Sequence, residues 1–466
     1  MSINKKKKIV VIGAGSSSFG LSTLAEIMLK KDLHGMELCL VDVNLEGVNK
    51  IRELAEILNQ EWNSGMSIKA TSKREEVLPE ADYIIISIAI DREKCWKKDY
   101  EIALKYNISH YAENGGPGGF IHSARNISMF IPILEDINKL CPNAFILNLT
   151  NPMQRLCYAI YKLTNNKFVG LCDQIYFGFF IIGNAFADEI GLKIRKDPRF
   201  LWNDDALDYH FNAIKHTKNY FDIKAAGINH FTWLLDIRKK ESGKDCYDLL
   251  RKKMEKLPAT FEPLTQKIFK IFNYLPVSGD CHISEYLPYV SDLKSGTFKE
   301  YDIQMYSFKW GEKIRNEMWN NIDLHIRKEK DLDDLKHSLN EEITEAAART
   351  ISSIETNKNS YIDSANIPNK GNISNIPNGS IVEVPCITAG QGIIGLSMGD
   401  LPKTIAELCR RQIILNEMTL QAVIEGNIKL VYQLFSLDPM INNLNTAKKL
   451  ADEYIRENKK YLTTFF

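Results

Sequence analysis

Lys8-Ile-Val-Val-Ile-Gly-Ala-Gly15 is an apolar run that ends abruptly in a glycine turn and continues into Ser16-Ser-Ser-Phe19. A strand, a tight turn and a helix start in immediate succession open a βαβ unit, and this fixes the first layer of the fold. The spacing predicts a helix from about Ser17 to Lys30 and a second strand, Glu37-Leu-Cys-Leu-Val-Asp42. Asn44 to Asn63 reads as helix, Ala70 to Ser72 as a short strand, and Asp82 to Ile90 as a continuous apolar run. Such a run suits a parallel strand covered on both faces. Helix 121–140, strand 144–150, helix 153–164 and strand 168–171 continue the alternation. The expected class is therefore α/β, a parallel sheet with helices on both faces.

The first turn also carries chemistry. Gly13 permits the tight turn, and Gly15 lets a pyrophosphate approach the backbone at the N-terminus of a helix, where N–H groups are free. The third position of the G-x-G-x-x-G pattern is Ser18, small enough for close packing. Asp42 closes the second strand and is placed to accept from a ribose hydroxyl, which favours NAD over NADP. A glycine turn with no ligand is the plain alternative. Strand, turn, helix and acid together favour the cofactor.

Beyond about Ile190 the alternation fades, and at 466 residues one small core does not suffice. Two units are expected: an N-terminal Rossmann-like dinucleotide-binding domain over 1–195, and a C-terminal α+β substrate and metal domain over 196–466. In the second, 220–226 and 232–238 read as strands and 332–357 as one long helix. Segment 358–377, rich in Asn, Ser and Pro, reads as a loop, and 403–425 and 428–437 as helices. Lys+Arg and Asp+Glu are both 59, so no charge imbalance points to nucleic acid or a membrane surface. No apolar run is long enough to span a bilayer, and the basic N-terminus passes directly into a strand. A cytoplasmic address is expected. The nine cysteines are scattered and read as reduced thiols rather than a disulfide framework.

Two distant segments place metal-capable side chains among small or apolar residues: Gly170-Leu-Cys-Asp173 and Gly227-Ile-Asn-His230. Cys172 follows a short strand, at the position where open α/β sheets bind ligands. A lone Cys is usually a small core residue, and a lone His is equally ambiguous. Together, with Asn151 after another strand, they form a candidate soft metal site for Zn, Fe, Co, Ni or Mn. Asp173 is either a general acid or a solvated loop carboxylate. In His282-Ile-Ser-Glu-Tyr-Leu-Pro-Tyr289, Tyr286 serves as a base only if a cation lowers its pKa, and the plainer reading is an amphipathic strand. The glycine loop Glu113-Asn-Gly-Gly-Pro-Gly-Gly119 either admits a ligand to the backbone or merely reverses the chain. Arg92 and Arg125 are candidate contacts for anions or sugar hydroxyls, or solvated surface groups.

These motifs, in this order, resemble the NAD- and metal-dependent glycosidases of glycoside hydrolase family 4, an exception to two-carboxylate hydrolysis. The resemblance runs nearly end to end. It takes in residues 12–19, 113–119, Asn148-Leu-Thr-Asn-Pro-Met153, 170–173, 227–231, Ser284-Glu-Tyr-Leu-Pro288 and Ile381-Val-Glu-Val-Pro385. It implies that Cys172 and His230 ligate a divalent metal, typically Mn2+, that Asn151 contacts the substrate, where Arg92 is the further candidate contact, and that Gly13, Gly15, Ser16 and Asp42 hold NAD. It further implies Asp173 as acid for the leaving group and Tyr286 as base for the sugar C2 proton. The implied reaction oxidises C3 by hydride transfer to NAD, removes the C2 proton, eliminates the C1 substituent, adds water and returns the hydride. Cys172-Asp173 resembles members acting on 6-phospho-α-glucosides, whereas Ser-Glu-Tyr-x-Pro resembles members acting on unphosphorylated α-glucosides, α-galactosides or uronides. Segment 197–219 reads as an insertion between the two ligand segments. A homodimer or homotetramer is expected. Competing readings are an NAD-dependent 2-hydroxy-acid dehydrogenase of the malate or lactate kind, and an NAD-binding sensor without turnover. Neither calls for the Cys172/His230 pair.

Overall fold

The computed structural model describes residues 6–294, 296–338, 343–344 and 346–466. The strands are β1 (Lys8–Ile12), β2 (Glu37–Val41), β3 (Ser67–Thr71), β4 (Tyr83–Ile86), β5 (Phe145–Asn148), β6 (Phe168–Gly170), β7 (Phe221–Ile228), β8 (Phe231–Lys239), β9 (Ser360–Pro368), β10 (Ile381–Ala389) and β11 (Gly392–Gly395). They form one 11-stranded sheet in the order β3-β2-β1-β4-β5-β6-β9-β10-β7-β8, with β11 on β10. The stretch from β3 to β6 is all parallel. The fold is thus α/β with a mostly parallel sheet, as the alternation of apolar runs and helices requires.

The parallel strands are apolar on both faces, and the side chains of β1 divide between two cores. Ile9 and Val11 pack on one side with Leu38, Leu40 and Ile85. Val10 and Ile12 pack on the other with Cys39, Ile84, Ile86 and Ile146. That period-two division, with each face under helices, is why these strands read as unbroken hydrophobic runs.

From β6 onward the sheet turns antiparallel. Gly170 of β6 pairs with Asn366 of β9, Asn366 with Glu383 of β10, and Glu383 with Gly227 of β7. This row crosses four strands and links the Cys172 segment to the His230 segment, 58 residues apart in the chain.

Several elements differ from expectation. The helix expected over 17–30 is two pieces, Ser17–Leu21 and Thr23–Leu29. Ser22 leaves helical geometry, and its hydroxyl donates to Ser18 O at 2.6 Å, a local bond that competes with the helix ladder. The expected long helix 332–357 is Leu332–Ser338 and Ala347–Thr356, with Ala346 in the left-handed region at φ 59°. Residues 339–342 and 345 of that stretch lie outside the described ones. The expected loop 358–377 begins with β9, an interior strand. Its Ser364 and Asn366 are buried, so polar residues that suggested solvent face carboxylate and backbone partners instead. The expected strand 282–289 is a short helix, Gly279–Ile283, and a single 3-10 turn, Ser284–Tyr286. Segment 197–219 contains the helix Asp204–Tyr220, capped by Asn203 and packed on the helix Ile175–Ala185. The helices Arg92–Lys105, Ile175–Ala185, Phe308–Ile326 and Leu444–Glu457 were not anticipated. Among the described residues, no helix is long and apolar enough to cross a membrane.

Candidate active site

A cleft of about 1310 Å³ runs across the ends of β1, β4 and β5. Gly13, Gly15, Ser16, Asp42, Arg92, Asn151 and Asp173 all line it. At its floor the glycine turn is held on both sides. Gly13 and Ala14 donate to Val41 O at 2.9 and 3.1 Å, and Ser87 donates to Ile12 O at 2.9 Å. Gly13 has φ +96°, and a Cβ there would lie 1.9 Å from Ser87 O. Only glycine fits. Asp42 accepts from Gly15 N–H at 2.8 Å and from Asn44 N–H at 2.8 Å, and so ties the second strand to the turn. Ser16 accepts from Phe19 N–H at 3.2 Å and caps the helix that begins at Ser17. Trp310, Arg315 and Met318, from the helix Phe308–Ile326, form the opposite wall.

Asp173 also lines this cleft, and Cys172, the residue before it, meets His230. Cys172 Sγ is 3.3 Å from His230 Nε2. Metal–sulfur and metal–nitrogen bonds of about 2.3 and 2.0–2.1 Å put two neighbouring donors on one ion roughly 3.1–3.6 Å apart. The pair therefore fits a shared divalent ion as it stands. His230 is the second residue of the two-residue turn joining β7 to β8, buried and in the left-handed region at φ 61°. Such outliers among non-glycine residues concentrate where function requires them. Asn229, the other turn residue, donates to Glu383 Oε2 at 3.2 Å.

Further groups converge on His230. Its Nδ1 lies 2.8 Å from Asn114 Nδ2. Its ring is 4.2 Å, centroid to centroid, from that of His282. Glu113, His230 and His282 each bring one donor atom within 4.8 Å of the others. Glu113 accepts from Arg92 at 2.7 Å, and its N–H and that of Asn114 both donate to Glu285, which is completely buried. Arg155, also buried, donates to Asn114 O and to Ser123 Oγ, each at 3.1 Å. The pKa shifts point one way. Burial pushes the Cys172 thiol well up, with Asp173 and Glu383 adding to it. The surrounding cleft walls desolvate Asp173 and raise it although its surface is exposed, and full burial lifts Glu383 to about 7 against the hydrogen bonds it receives from Ser364, Asn229 and Asn366. Burial, with His282 and Arg92, holds His230 well down, neutral and free to ligate. A cluster of desolvated acids beside a neutral imidazole and a thiol is relieved by a cation, and the donor types suit a borderline divalent metal.

The remaining expected residues fall as follows. Asn151 stands on the cleft wall, its Oδ1 accepting from Met153 N–H at 3.2 Å. Tyr286 is buried, and its hydroxyl donates to Asn229 O at 3.3 Å, one residue from His230. Burial and Glu285 push its pKa well up, and Arg155 is the cation that opposes them. Arg125 is outside the site, buried in an ion pair with Asp99 near the C-terminal helices. Asn114, Glu113, His282, Glu285 and Glu383 were not singled out from sequence. The carboxylate and amide just before the glycine loop were the available signal.

The chain belongs to family 4 of the glycosyl hydrolases: the family profile matches residues 8–179, and the profile of the family's C-terminal domain matches residues 225–441. It is therefore a glycoside hydrolase, and the dehydrogenase reading falls away. It is 27% identical to an α-glucosidase of Erwinia rhapontici, over 98% of each chain. It is 28% identical to an α-galactosidase of Bacillus subtilis (strain 168), over 93% of each. Its fold matches that of a 6-phospho-α-glucosidase from gut microorganisms in complex with NAD and Mn2+ with a TM-score of 0.74, at 20% identity, over 98% of this chain and 99% of that one.

Proposed function

We propose that the chain hydrolyses α-glycosides at this cleft, with NAD over the glycine turn and Mn2+ held by Cys172 and His230. The observation that carries the reading is the 3.3 Å approach of Cys172 Sγ to His230 Nε2, next in the chain to Asp173 on the wall of a cleft that also holds a dinucleotide-type turn. The α-glucosidase and α-galactosidase relatives, and the NAD and Mn2+ in the 6-phospho-α-glucosidase complex, support it. NAD supplies reversible hydride transfer at sugar C3, and the divalent ion supplies the charge that makes the C2 proton removable.

The chain's own residues do the rest. Gly13 and Gly15 leave the backbone open to a pyrophosphate at a helix start, Ser16 shapes that start, and Asp42 offers its remaining lone pairs to ribose hydroxyls. Arg92 and Asn151, on the wall between turn and donor pair, orient the sugar hydroxyls. Asp173 keeps its proton closer to neutral pH than an ordinary aspartic acid and delivers it to the leaving oxygen. Tyr286 takes the C2 proton; Arg155 only partly offsets the burial and Glu285 that hold its phenol protonated, and the charge of a bound divalent ion would supply the remainder. The competing features at 172–173 and 284–288 make both phosphorylated and unphosphorylated sugars substrates to test.

The test is a panel of p-nitrophenyl α- and β-glycosides, including galactosides, uronides and 6-phosphates, assayed with NAD+, Mn2+ and a reductant. Turnover of an α-glycoside without net NADH, and with solvent deuterium at product C2, is expected. No turnover on any member overturns the reading. Turnover without label overturns the elimination step.

A further inference from the structure

Among the described residues Asn114 makes the single hydrogen bond to the back of His230, and its amide is left half satisfied. With Nδ2 facing His230 Nδ1 at 2.8 Å, Asn114 Oδ1 is buried without a partner. The oxygen and nitrogen of an amide are interchangeable by a half-turn about the last side-chain bond, so either orientation fits the same space. They do not have the same consequence for the ring. An amide N–H aimed at Nδ1 requires a lone pair there and leaves the imidazole proton on Nε2, facing Cys172. An imidazole that ligates through Nε2 must carry its proton on Nδ1 and needs an acceptor behind it.

We propose that Asn114 is the positioning residue that makes His230 a metal ligand: its Oδ1 accepts the Nδ1 proton, which fixes the tautomer with a free lone pair on Nε2. The inference rests on the reading that Cys172 and His230 bind the ion. The turned amide gives Oδ1 the ring N–H as its donor and moves Nδ2 to the unpartnered position, so the choice between the two orientations rests on what the ring requires. The surroundings hold the rest of the residue still. The Asn114 N–H donates to Glu285 Oε1 at 3.1 Å, and Arg155 donates to the Asn114 carbonyl at 3.1 Å. Both charged residues are at most 1% exposed. A backbone clamped by a buried carboxylate on one side and a buried guanidinium on the other leaves the amide rotation as the freedom that matters. This assigns Glu285 and Arg155 a purpose beyond their own packing, which is to hold the residue that sets the ring.

The test uses Mn2+ alone, without substrate or NAD, with free aquated ion followed by electron paramagnetic resonance. His230→Ala and Cys172→Ser report whether the donor pair binds at all. Asn114→Leu keeps the volume and removes the acceptor, and is expected to weaken Mn2+ binding about 10- to 100-fold, the usual cost of losing such a partner. Asn114→Asp keeps an acceptor and removes the amide donor, and is expected to lie nearer the wild type than Asn114→Leu. Equal losses in the two Asn114 variants, or wild-type affinity in Asn114→Leu while His230→Ala has lost binding, overturn the inference. Unchanged affinity in His230→Ala overturns the metal reading beneath it. A measurement on the unmutated chain guards against variants that fail to fold. Nitrogen NMR of histidine-labelled, metal-free protein is expected to show His230 protonated on Nδ1, and protonation on Nε2 overturns the proposal.

Discussion

Gly13→Ala tests the cofactor turn most directly. The new Cβ would meet Ser87 O at 1.9 Å, Ser87 C at 2.6 Å and Ile88 Cγ2 at 2.9 Å. Relief requires the oxygen contact to open from 1.9 Å to at least 3.0 Å. The obstacle is backbone, not a rotatable side chain. The turn cannot retreat freely, because Gly13 and Ala14 both donate to Val41 O, and Ser87 is bonded to Ile12 O. An alanine at φ +96° costs about 1–2 kcal/mol in backbone strain. Loosening one or two of those bonds adds about 0.5–1.5 kcal/mol each. A destabilisation of about 3 kcal/mol is expected, with NAD affinity at least tenfold weaker, since roughly 1.4 kcal/mol per decade is lost when the turn moves off the pyrophosphate. Calorimetric titration with NAD+ and thermal unfolding of the same sample read both quantities. Gly65→Ala is the control. Gly65 has φ +61° but nothing within 4 Å of its missing Cβ, so it pays only the backbone term and keeps NAD affinity. Wild-type melting and affinity in Gly13→Ala, or equal loss of NAD affinity in both variants, would refute the reasoning.

Four further outcomes are expected. Cys172→Ser exchanges a soft donor for a hydroxyl 3.3 Å from His230, and should raise the Mn2+ concentration needed for half-maximal activity at least tenfold without changing NAD binding; an unchanged Mn2+ titration removes Cys172 from the ligand set. Asp173→Asn should slow substrates with alkyl leaving groups by about 10²–10⁴-fold and p-nitrophenyl substrates far less, because a stable phenolate needs little protonation; equal losses on both exclude the acid role. Tyr286→Phe should lower kcat with little change in KM and raise the primary isotope effect at C2, and an unchanged isotope effect at unchanged kcat assigns the proton to another base. His110 accepts from Gly118 N–H at 3.0 Å, and burial lowers its pKa from 6.5 to about 3. Its neutral form is the one folded, so its contribution is intact above pH 6.5 and is lost as pH falls towards 3, up to about 5 kcal/mol at roughly 1.4 kcal/mol per unit. His110→Gln keeps the acceptor and does not titrate, so its denaturant midpoint should fall less steeply with acid, and parallel curves for variant and wild type would sink the assignment.

Much of the parallel half was legible because its strands obey one rule. Ile9 to Ile12 and Tyr83 to Ile86 are apolar on both faces, and such runs announce buried parallel strands whatever lies around them. The antiparallel half hid its strands in polar residues. β9 carries Asn366 and Ser364, which give Glu383 two of the hydrogen bonds that oppose the rise of its pKa, so composition suggested a loop where long-range pairing made a strand. Tyr286 illustrates a different limit. Local pattern favoured an amphipathic strand, but Glu285 takes the N–H groups of Glu113 and Asn114, and that distant demand curls 284–286 into a turn. The glycines of 113–119 were legible as necessary, but the protein neighbours they admit were not. A Cβ on Gly115 would strike Glu285 O at 2.5 Å, and one on Gly119 would strike Asn114 O at 2.5 Å and lie 3.0 Å from Arg155 Nη1. At these two positions the missing Cβ admits protein to the backbone.

That loop and the Gly170–Asn366–Glu383–Gly227 row explain how the proposed ligand and acid–base residues, so far apart in sequence, come together. The row sets the height of β6 against β7, and so brings Cys172 to His230. A slip of one residue in any of its pairings would turn alternate side chains to the opposite face and take Glu383 away from Asn229. The loop then brings Glu113 and Asn114 in behind the imidazole, where Glu285 and Arg155 fix them. The proposed metal donors are thus placed by strand register, and the proposed tautomer of the histidine by a segment with no strand of its own. Either support can be weakened without the other: a lesion in β9 should scatter the donors, whereas a lesion at Asn114 should leave them in place and spoil only the ring's lone pair. Mn2+ affinity falls in both cases, but only the second is rescued by an acceptor at position 114, and that asymmetry separates where a ligand stands from whether it can bind.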